Sequence, residues 1–371
     1  MKKVIITPFD VILFRSSRPF SKGENSIAQQ GEITPLPFAG SIRSKFLSLK
    51  ANGDIPFDWY DTKKHSEFKE AIEIIGTPTT EGKIRFFGSY FLDPSGEELF
   101  SSPNDLVKSE FDKNRKLLLK PSTSDIFGTT DIYPVMPGPE GSFYIKEHED
   151  EFITRSGLEK YLKGEIPNSD AFVSKSRVFF EERRVGIELD KNKKTTKEGM
   201  LYSIEYIRLS EGYSFSVWIN DSYGLPTKGL LKIGGEGRSA SYEIINNEKL
   251  TFSEIIQEVN KSRRFKLYLS TPAIFLGENN KSVCSPIPER LEEKLGVSVK
   301  LISMIPGKPI RLGGWDMAIN KQKPLRYGVR SGAVYFYEIK EGEIDENIEM
   351  PLMLSDIDPW LGLGSGFIGR W

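Results

Sequence analysis

Residues 251–270 read TFSEIIQEVNKSRRFKLYLS, and this segment shows most clearly how the chain alternates helices with strands. Thr251 and Glu254 have the spacing of a capping box, in which two side chains bond to free backbone N–H groups at a helix start. The apolar residues that follow are spaced along one helical face. Phe265, Leu267 and Leu269 then alternate with polar residues, as in a strand. The segment therefore predicts a helix followed directly by a new strand.

The same alternation extends toward the N-terminus. The apolar run at residues 4–6 predicts a buried strand. Pro35-Leu36-Pro37 introduces a helical pattern, which we expect Gly53 to end. Further expected elements are helices over 67–75 and 158–162, strands over 84–92 and 213–219, and a strand or hairpin over 177–189. Apolar and polar residues alternate along 213–219, which predicts a half-buried strand.

These elements suggest how the chain is organised. A length of 371 residues favours two to three domains. The order strand, helix, strand, strand, helix, strand can be traced twice, which fits the ferredoxin-like unit. We predict an α+β fold of two ferredoxin-like (RRM-like) domains with glycine-rich loops. The first would span residues 1–250, with a long insertion at about 95–170, and the second residues 251–371.

Composition narrows the class of protein. Apolar residues make up 38% and charged residues 28% of the chain. No run of about 18 apolar residues occurs, so we expect no membrane helix. Cys284 is the only cysteine, which excludes an intrachain disulfide and a cysteine-cluster zinc site. We therefore expect a cytoplasmic protein.

Charge is segregated along the sequence although the net charge is only −1. Residues 15–50 carry six basic and two acidic side chains, and residues 308–330 carry six basic and one acidic. Residues 341–358 carry seven acidic side chains and no basic one. The basic stretches suit nucleic acid, and the acidic stretch suits a protein partner or solvent.

Two glycine-rich segments lie beside arginine. One is IGGEGR at residues 233–238, and the other is GLGSGFIGRW at residues 362–371. Because glycine tolerates positive φ, successive N–H groups can point one way and form an anion-binding concavity. Each segment could instead be a tight turn before a strand, and the sequence leaves both interpretations open.

Basic and aromatic residues recur together in three clusters. The first surrounds Phe14 and Phe20, and the second surrounds Phe179 and Phe180. The third, which includes Trp315 and Tyr327, surrounds Gly313 and Gly314. Cations neutralise phosphates, and aromatic faces stack on splayed bases. The alternative is that the aromatic rings belong to the core, which we expect for residues 14, 179 and 180. For Trp315 both interpretations stay open.

Catalytic motifs are scarce in the sequence. The chain has two histidines, His65 and His148, and both have the polar context of surface residues. No metal-ligand spacing of His or Cys and no phosphate-binding P-loop occurs. Asp356 and Asp358 are a weak candidate pair for a metal. We therefore predict no catalytic residue, no metal site and no cofactor.

Six motifs follow one another in an order that resembles a known family. They are PFDVILFRSSRPF (8–20), PLPFAGSIRSKFL (35–47), EERRVGIELDKNKKTTKEGMLY (181–202), IGGEGR (233–238), GGWDMAINKQKP with GAVYFYE (313–338), and GLGSGFIGRW (362–371). This series resembles the third subunits of the Cmr complex, the type III-B CRISPR interference assembly, within the RAMP superfamily.

The resemblance implies two ferredoxin-like folds and a non-catalytic, RNA-binding role in antiviral defence. It implies binding of the repeat-derived 5′ handle of the CRISPR RNA (crRNA), and docking to the large cyclase-like subunit and to a backbone RAMP subunit. The alternative is a metal-independent RAMP endoribonuclease that processes crRNA and needs a general base, often histidine. Combining the motifs with the chemistry above, we predict RNA contacts from Arg15, Arg18, Lys22, Arg43, Arg177, Arg183, Arg184, Gly234, Gly235, Gly237, Arg238, Arg311, Trp315, Lys321, Lys323 and Arg326.

Overall fold

The computed structural model describes residues 1–15, 26–28, 31–51, 54–108, 116–122, 135–136, 151–189, 196–247 and 250–371. Side chains are described for all of these except 26–28, 135–136, 187–189 and 196–202. Within these residues the helices are α1 (Pro35–Ser48), α2 (Lys69–Ile75), α3 (Arg155–Leu162), α4 (Lys175–Val178), α5 (Ser253–Ser262) and α6 (Pro288–Leu295). Short 3-10 helices span Ser66–Phe68, Ser169–Ala171, Gly235–Gly237 and Glu278–Asn280.

The strands up to residue 250 are β1 (Lys2–Pro8), β2 (Ser26–Ala28), β3 (Phe86–Leu92), β4 (Glu98–Ser101), β5 (Leu106–Lys108), β6 (Lys116–Leu118), β7 (Lys120–Pro121), β8 (Val135–Met136), β9 (Glu151–Thr154), β10 (Phe172–Ser174), β11 (Phe179–Leu189), β12 (Thr196–Leu209), β13 (Ser214–Ile219), β14 (Lys228–Lys232) and β15 (Ser239–Asn246). The later strands are β16 (Arg264–Leu269), β17 (Phe275–Leu276), β18 (Ser282–Val283), β19 (Ser298–Ile305), β20 (Ile310–Leu312), β21 (Trp315–Asp316), β22 (Lys321–Gln322), β23 (Arg326–Gly328), β24 (Val334–Glu341), β25 (Leu352–Met353) and β26 (Ser365–Gly369).

Two large sheets organise the described residues. The first has eight strands in the order β10-β9-β4-β3-β13-β1-β15-β14, and every neighbouring pair is antiparallel. The second has five strands in the order β19-β24-β16-β26-β25, again all antiparallel. The fold is therefore mixed α/β with mostly antiparallel sheets. The described part of the region expected as an insertion, 95–170, supplies β4 and β9 to the first sheet and α3 beside it.

Smaller sheets accompany these two. The long hairpin β11–β12 is joined by β2, which runs parallel to β12. Between β19 and β24, strand β20 pairs with β23, and β21 pairs with β22. We call residues 309–328, which contain these four short strands, the arm.

The first sheet is covered on both faces. Phe215, Val217 and Ile219 of β13 pack with α1 and α2 in one hydrophobic cluster. Trp218, on the opposite face, belongs to a second cluster that also contains Phe265 and other residues of β16, β24, α5 and α6. The second core is thus shared by residues from both halves of the chain.

Most of the predicted elements are confirmed, with local corrections. The predicted helix and strand at 251–270 are α5 and β16, but the capping box is wrong: Phe252 is the N-cap residue of α5, and this helix has no side-chain cap bond. Helix α1 ends at Ser48, before the expected stop at residue 53. Strand β13 is buried along its whole length and not half-buried. Its polar residues face the second core, where Ser216 and Trp218 donate hydrogen bonds to Glu98 at 3.4 and 3.3 Å.

The terminal glycine-rich segment is a turn followed by a buried strand. Gly364 has φ +73°, and its N–H donates to the carbonyl of Pro272 at 2.8 Å. Residues 365–369 form β26, and all five are buried. The interpretation as a tight turn before a strand is therefore confirmed for this segment, and the alternative, an exposed anion seat, is wrong.

Among the described residues, the longest helix has 14 residues, and none combines the length and apolar character that crossing a bilayer requires.

Candidate nucleic-acid interface

A groove of about 2260 Å³ collects many of the predicted site residues. Its walls come from α1, from the IGGEGR loop (residues 233–238, here the glycine loop) and from the arm. Nine basic and seven acidic side chains line it, so its charge is slightly positive. The predicted residues that it brings together are Arg15, Arg43, Gly234, Gly235, Gly237, Arg311, Trp315 and Lys323.

The arm presents apolar and basic side chains to solvent. Trp315 is 60% exposed and Met317 75% exposed. The guanidinium of Arg311 lies 5.8 Å from the centre of the Tyr327 ring, which is also exposed. Large exposed apolar side chains on a basic element are typical of a binding surface. The alternative that Trp315 belongs to the core is therefore wrong.

Polar contacts hold the arm and the adjoining side chain of Arg43 in place. The backbone N–H of Lys323 donates to the carbonyl of Gly314 at 2.9 Å, and its Nζ lies 3.4 Å from Oδ2 of Asp358. Arg43 on α1 donates through Nη2 to the carbonyl of Thr77 at 2.9 Å. Burial lowers the pKa of Arg43, whereas the carboxylates of Asp316 and Asp358 favour its charged form. Arg43 is thus half-buried beside the arm and less accessible than Arg311.

The glycine loop is a turn between β14 and β15 that rests on the chain after β1. Gly234 has φ +70°, and a Cβ there would lie 2.5 Å from the carbonyl oxygen of Leu13. The N–H of Gly235 donates to that same oxygen at 2.8 Å. This N–H is therefore engaged within the chain. A Cβ at Gly237 would meet no atom of the described residues within 4 Å, so this side of the loop opens to the groove.

Three arginines and three carboxylates form a network beside the glycine loop, which we call the arginine cluster. Its members are Arg184, Arg208 and Arg238 with Asp10, Glu182 and Glu236. Tyr206 lies at its centre: the guanidiniums of Arg184 and Arg238 lie 5.3 and 4.9 Å from the centre of the Tyr206 ring. The Tyr206 hydroxyl donates to Glu236.

The charges within this cluster stabilise one another. Hydrogen bonds from Arg208 and Arg184 lower the pKa of Glu182. Partial burial acts to raise the pKa of Asp10, but the Val11 N–H and the nearby arginines lower it overall. Glu182 and Asp10 in turn raise the pKa values of Arg184 and Arg208. Asp10, Glu182, Arg184 and Arg208 therefore stay charged near neutral pH. The cluster combines three arginines with three carboxylates, so its formal charges cancel.

The remaining predicted residues are dispersed or lie outside the described chain. Arg183 donates to the Ser203 hydroxyl at 2.7 Å on the opposite face of β11 from Arg184. Arg177 is exposed on α4, and Lys321 and Arg326 lie on the arm away from the groove lining. Arg18 and Lys22, with Phe20 and His148, lie outside the described residues. Phe14 and Phe179 are core residues as predicted, but Phe180 is 50% exposed, so its assignment to the core is wrong.

Several residues of this region carry no clear sequence signal. Arg208 and Tyr206 join the arginine cluster because β12 pairs with β11 in a register that places Arg208 opposite Phe180. Asp10 joins the arginine cluster because β1 ends at Pro8, two residues before it, which places its side chain near Arg208 and Arg238. Lys175, Lys308 and Arg330 also line the groove. The spacing of a single segment cannot reveal such cross-strand neighbours, although Ile204, Tyr206 and Ile207 are residue types that favour a strand.

The candidate catalytic and metal groups are engaged elsewhere. The His65 Nε2 lies 3.0 Å from Oδ1 of Asp58, and its Nδ1 lies 3.6 Å from Oε1 of Glu67. His65 is not among the described residues that line the groove. Asp356 pairs with Arg290, whereas Asp358 pairs with Lys323. In the described part of the chain, no group of three or more His, Cys, Asp or Glu side chains is arranged to hold a metal ion.

Comparison with known proteins identifies the family. A family model described as CRISPR-associated protein (Cas_Cmr3) matches residues 4–371. The chain belongs to this Cmr3 family. The prediction from motif order, a third subunit of the type III-B Cmr complex, is therefore confirmed.

Individual relatives of this Cmr3-family chain are distant. The CRISPR system CMR subunit Cmr3 of Saccharolobus solfataricus is 25% identical over 346 residues, which cover 90% of this chain and 85% of that protein. A chain in the cryo-EM structure of the type III-B Cmr-beta complex bound to cognate target RNA is 18% identical, with a TM-score of 0.48, covering 90% of this chain and 86% of that one. A chain in the Csm3–Csm4 subcomplex of the type III-A interference complex is 14% identical, with a TM-score of 0.40 over 100% and 99% of the two chains.

Proposed function

We propose that this Cmr3-family chain is a non-catalytic RNA-binding subunit of a type III-B CRISPR effector complex, and that its groove holds the 5′ handle of the crRNA. The observation that carries this proposal is the arm, which presents Arg311 and the exposed ring of Trp315 at the rim of a groove also lined by the glycine loop. Cations that follow a phosphate backbone beside an aromatic platform are typical of single-strand binding.

None of the described residues that line the groove is a histidine, the side chain most often used as a general base, and this favours holding over cutting. Of the two histidines, His65 is paired with carboxylates outside the groove lining, and His148 lies outside the described residues. A metal-independent nuclease needs a general base within reach of the 2′-hydroxyl. If incubation of the purified chain with repeat RNA gave cleavage that His65→Ala or His148→Ala abolished, the non-catalytic assignment would be wrong.

The topology supports two ferredoxin-like units. Four neighbouring strands of the first sheet lie in the order β3-β13-β1-β15, and four of the second lie in the order β19-β24-β16-β26. If the four strands of each set are numbered along the chain, both orders are 2-3-1-4. In each unit the first two strands are parallel with the third between them, which is a split βαβ arrangement. Helices α1 and α2, or helix α6, fill the first connection. The second connections, residues 220–238 and 342–364, contain no α-helix, so each unit departs from the full pattern. We place the boundary near residue 250.

We also propose that the acidic stretch contacts a protein subunit. Glu341, the last residue of β24, is exposed, and so are Glu343, Asp345, Glu346 and Glu349 on the connection that follows. This surface repels RNA and suits a basic patch of a neighbouring subunit, either the large cyclase-like subunit or a backbone RAMP subunit.

The salt dependence of guide binding tests the RNA-binding proposal. In the assembled complex, Arg311→Ala should weaken retention of the guide and reduce the slope of log K against log salt by about 0.7, the value for one phosphate contact with a single strand. Arg370→Ala is the matched control, because Arg370 is exposed and lies outside the groove lining. Equal affinities and slopes for the two variants would refute the proposed site.

A further inference from the structure

Asp10 lies within reach of three guanidiniums that come from three segments of the chain. Its Oδ1 lies 2.9 Å from Nη2 of Arg208, and its Oδ2 lies 3.4 Å from Nη2 of Arg184 and 3.6 Å from Nη1 of Arg238. These arginines belong to β11, to β12 and to the end of the glycine loop. One carboxylate thus occupies the point at which three guanidiniums converge.

The guanidiniums are held in place by groups other than Asp10. Glu182 accepts hydrogen bonds from Nε of both Arg184 and Arg208. Glu236 lies 3.5 Å from Nη2 of Arg238, and the Tyr206 ring lies beneath two of the three guanidiniums. The arrangement is therefore largely preorganised, and removing the Asp10 carboxylate would leave the three side chains oriented.

The site is accessible and its charge suits a phosphodiester. The side chains of Asp10, Arg184 and Arg208 are 43%, 39% and 36% exposed. A phosphodiester carries one negative charge, as Asp10 does, so exchanging one for the other leaves the cluster neutral. Guanidiniums bind phosphate oxygens with the same paired geometry that they use for carboxylates. Glu236 also lines the groove, so the cluster adjoins the surface proposed above to carry RNA.

We propose that Arg184, Arg208 and Arg238 form a binding site for a backbone phosphate of RNA, and that Asp10 occupies this site in the free chain. As to its ligand, this inference rests on the proposed RNA-binding function. RNA must displace Asp10 to bind there, so Asp10 lowers the affinity of the free chain for polyanions in general.

Substitution of Asp10 tests the inference. Asp10→Asn should raise the affinity of the purified chain for a uridine homopolymer about tenfold, which is the effect of one charge-assisted hydrogen bond. The slope of log K against log salt should steepen by about 0.7. The matched control is Glu258→Gln, because Glu258 pairs with Lys261 and Arg370 on a different surface, and both variants lose one negative charge.

The same experiment has outcomes that would overturn the inference. An affinity for Asp10→Asn equal to that of Glu258→Gln would overturn it, because Asp10 would then act only through net charge. An affinity lower than that of wild type would also overturn it, because Asp10 would then act only as a structural support for the cluster. In the double variant Asp10→Asn/Arg208→Gln the gain should disappear. Thermal melting of each variant shows that it is folded. If Asp10→Asn fails to fold, the binding experiment is replaced by NMR of the arginine side chains of the wild type, recorded as inorganic tripolyphosphate is added. Shifts at all three guanidiniums support the site, and no shift refutes it.

Failure of the phosphate site and failure of the proposed function can be told apart. Tripolyphosphate should compete with the uridine homopolymer on Asp10→Asn, and this result needs no guide RNA. Suppose that Asp10→Asn gains affinity for the homopolymer, while Arg311→Ala leaves retention of the guide in the complex unchanged. This result would support the phosphate site and reject the proposed place of the 5′ handle.

Discussion

At the scale of single residues, glycine shows how far the sequence can be interpreted. Both glycine-rich segments suggest positive φ, and Gly234 and Gly364 have it. The sequence does not reveal what lies against each glycine. Gly364 packs on the backbone of Ser355 inside the fold, whereas Gly237 has no described neighbour within 4 Å of where its Cβ would lie. The chemistry of a glycine loop therefore depends on neighbours that are distant in sequence.

Gly364→Ala should destabilise the protein strongly. The new Cβ would lie 2.3 Å from the Ser355 backbone nitrogen, and φ is +73°. Left-handed strain and overpacking together should lower the free energy of unfolding by on the order of 3 kcal/mol. Gly40→Ala is the control, because in the middle of α1 a Cβ at this position meets no atom of the part of the chain that the structure describes within 4 Å. It should raise stability by about 0.5–1 kcal/mol. Urea denaturation measures both, and similar stabilities for the two variants would contradict the packing described for β26.

At the scale of elements, sequence periodicity predicts that a helix or strand exists better than it predicts which of its faces are buried. The pattern after residue 251 correctly predicts α5 and β16. The alternation in 213–219 predicts a strand, but small polar residues such as Ser216 suggest a solvent-facing side. That side is buried because the second half of the chain covers it, and no local pattern carries this information. Likewise, the basic and aromatic residues of the arm predict a binding element, whereas the arginine cluster depends on the register of β11 with β12.

Trp315→Ala should weaken guide binding without affecting stability. Trp315 is 60% exposed, so its removal costs little packing. Stacking of a base on an aromatic side chain contributes about 1–3 kcal/mol, so the dissociation constant should rise about tenfold or more. Trp59→Ala is a useful contrast, since Trp59 is buried with α1 and α2, and its loss should lower stability by about 3–5 kcal/mol. Unchanged guide affinity for Trp315→Ala would exclude the ring as a stacking platform.

At the scale of the whole molecule, a buried ion pair is among the contacts that join the two halves. Lys266 on β16 lies 3.5 Å from Oδ2 of Asp105, and both side chains are fully buried. The Tyr161 hydroxyl donates to Oδ1 of Asp105 at 2.6 Å. Around them lies the hydrophobic cluster shared by both halves. The two sheets are therefore coupled, although the order of helices and strands in the sequence predicts two ferredoxin-like domains.

The pH dependence of stability should report on this contact. Burial lowers the pKa of Lys266 to about 8, whereas an unfolded lysine titrates near 10.4. Between these values the unfolded chain binds more protons, so the contribution of Lys266 to the free energy of unfolding rises with pH. The difference between wild type and Lys266→Met should therefore rise by about 1 kcal/mol per pH unit from pH 8 to 10.

Denaturation at several pH values checks this expectation. Lys340→Met is the control, because it removes an exposed lysine from β24. The wild type and this control should follow the same pH trend. A difference between wild type and Lys266→Met that stays constant, or falls, from pH 8 to 10 would show that the buried amine does not titrate as described.

The most direct test of the central claim is site-specific crosslinking in the assembled complex. Guide RNA with 4-thiouridine in its 5′ handle is irradiated within the particle, and the crosslinked peptides are identified by mass spectrometry. We predict crosslinks to the arm, residues 309–328, and to the glycine loop, residues 233–238. Crosslinks of the handle exclusively to other subunits would contradict the account.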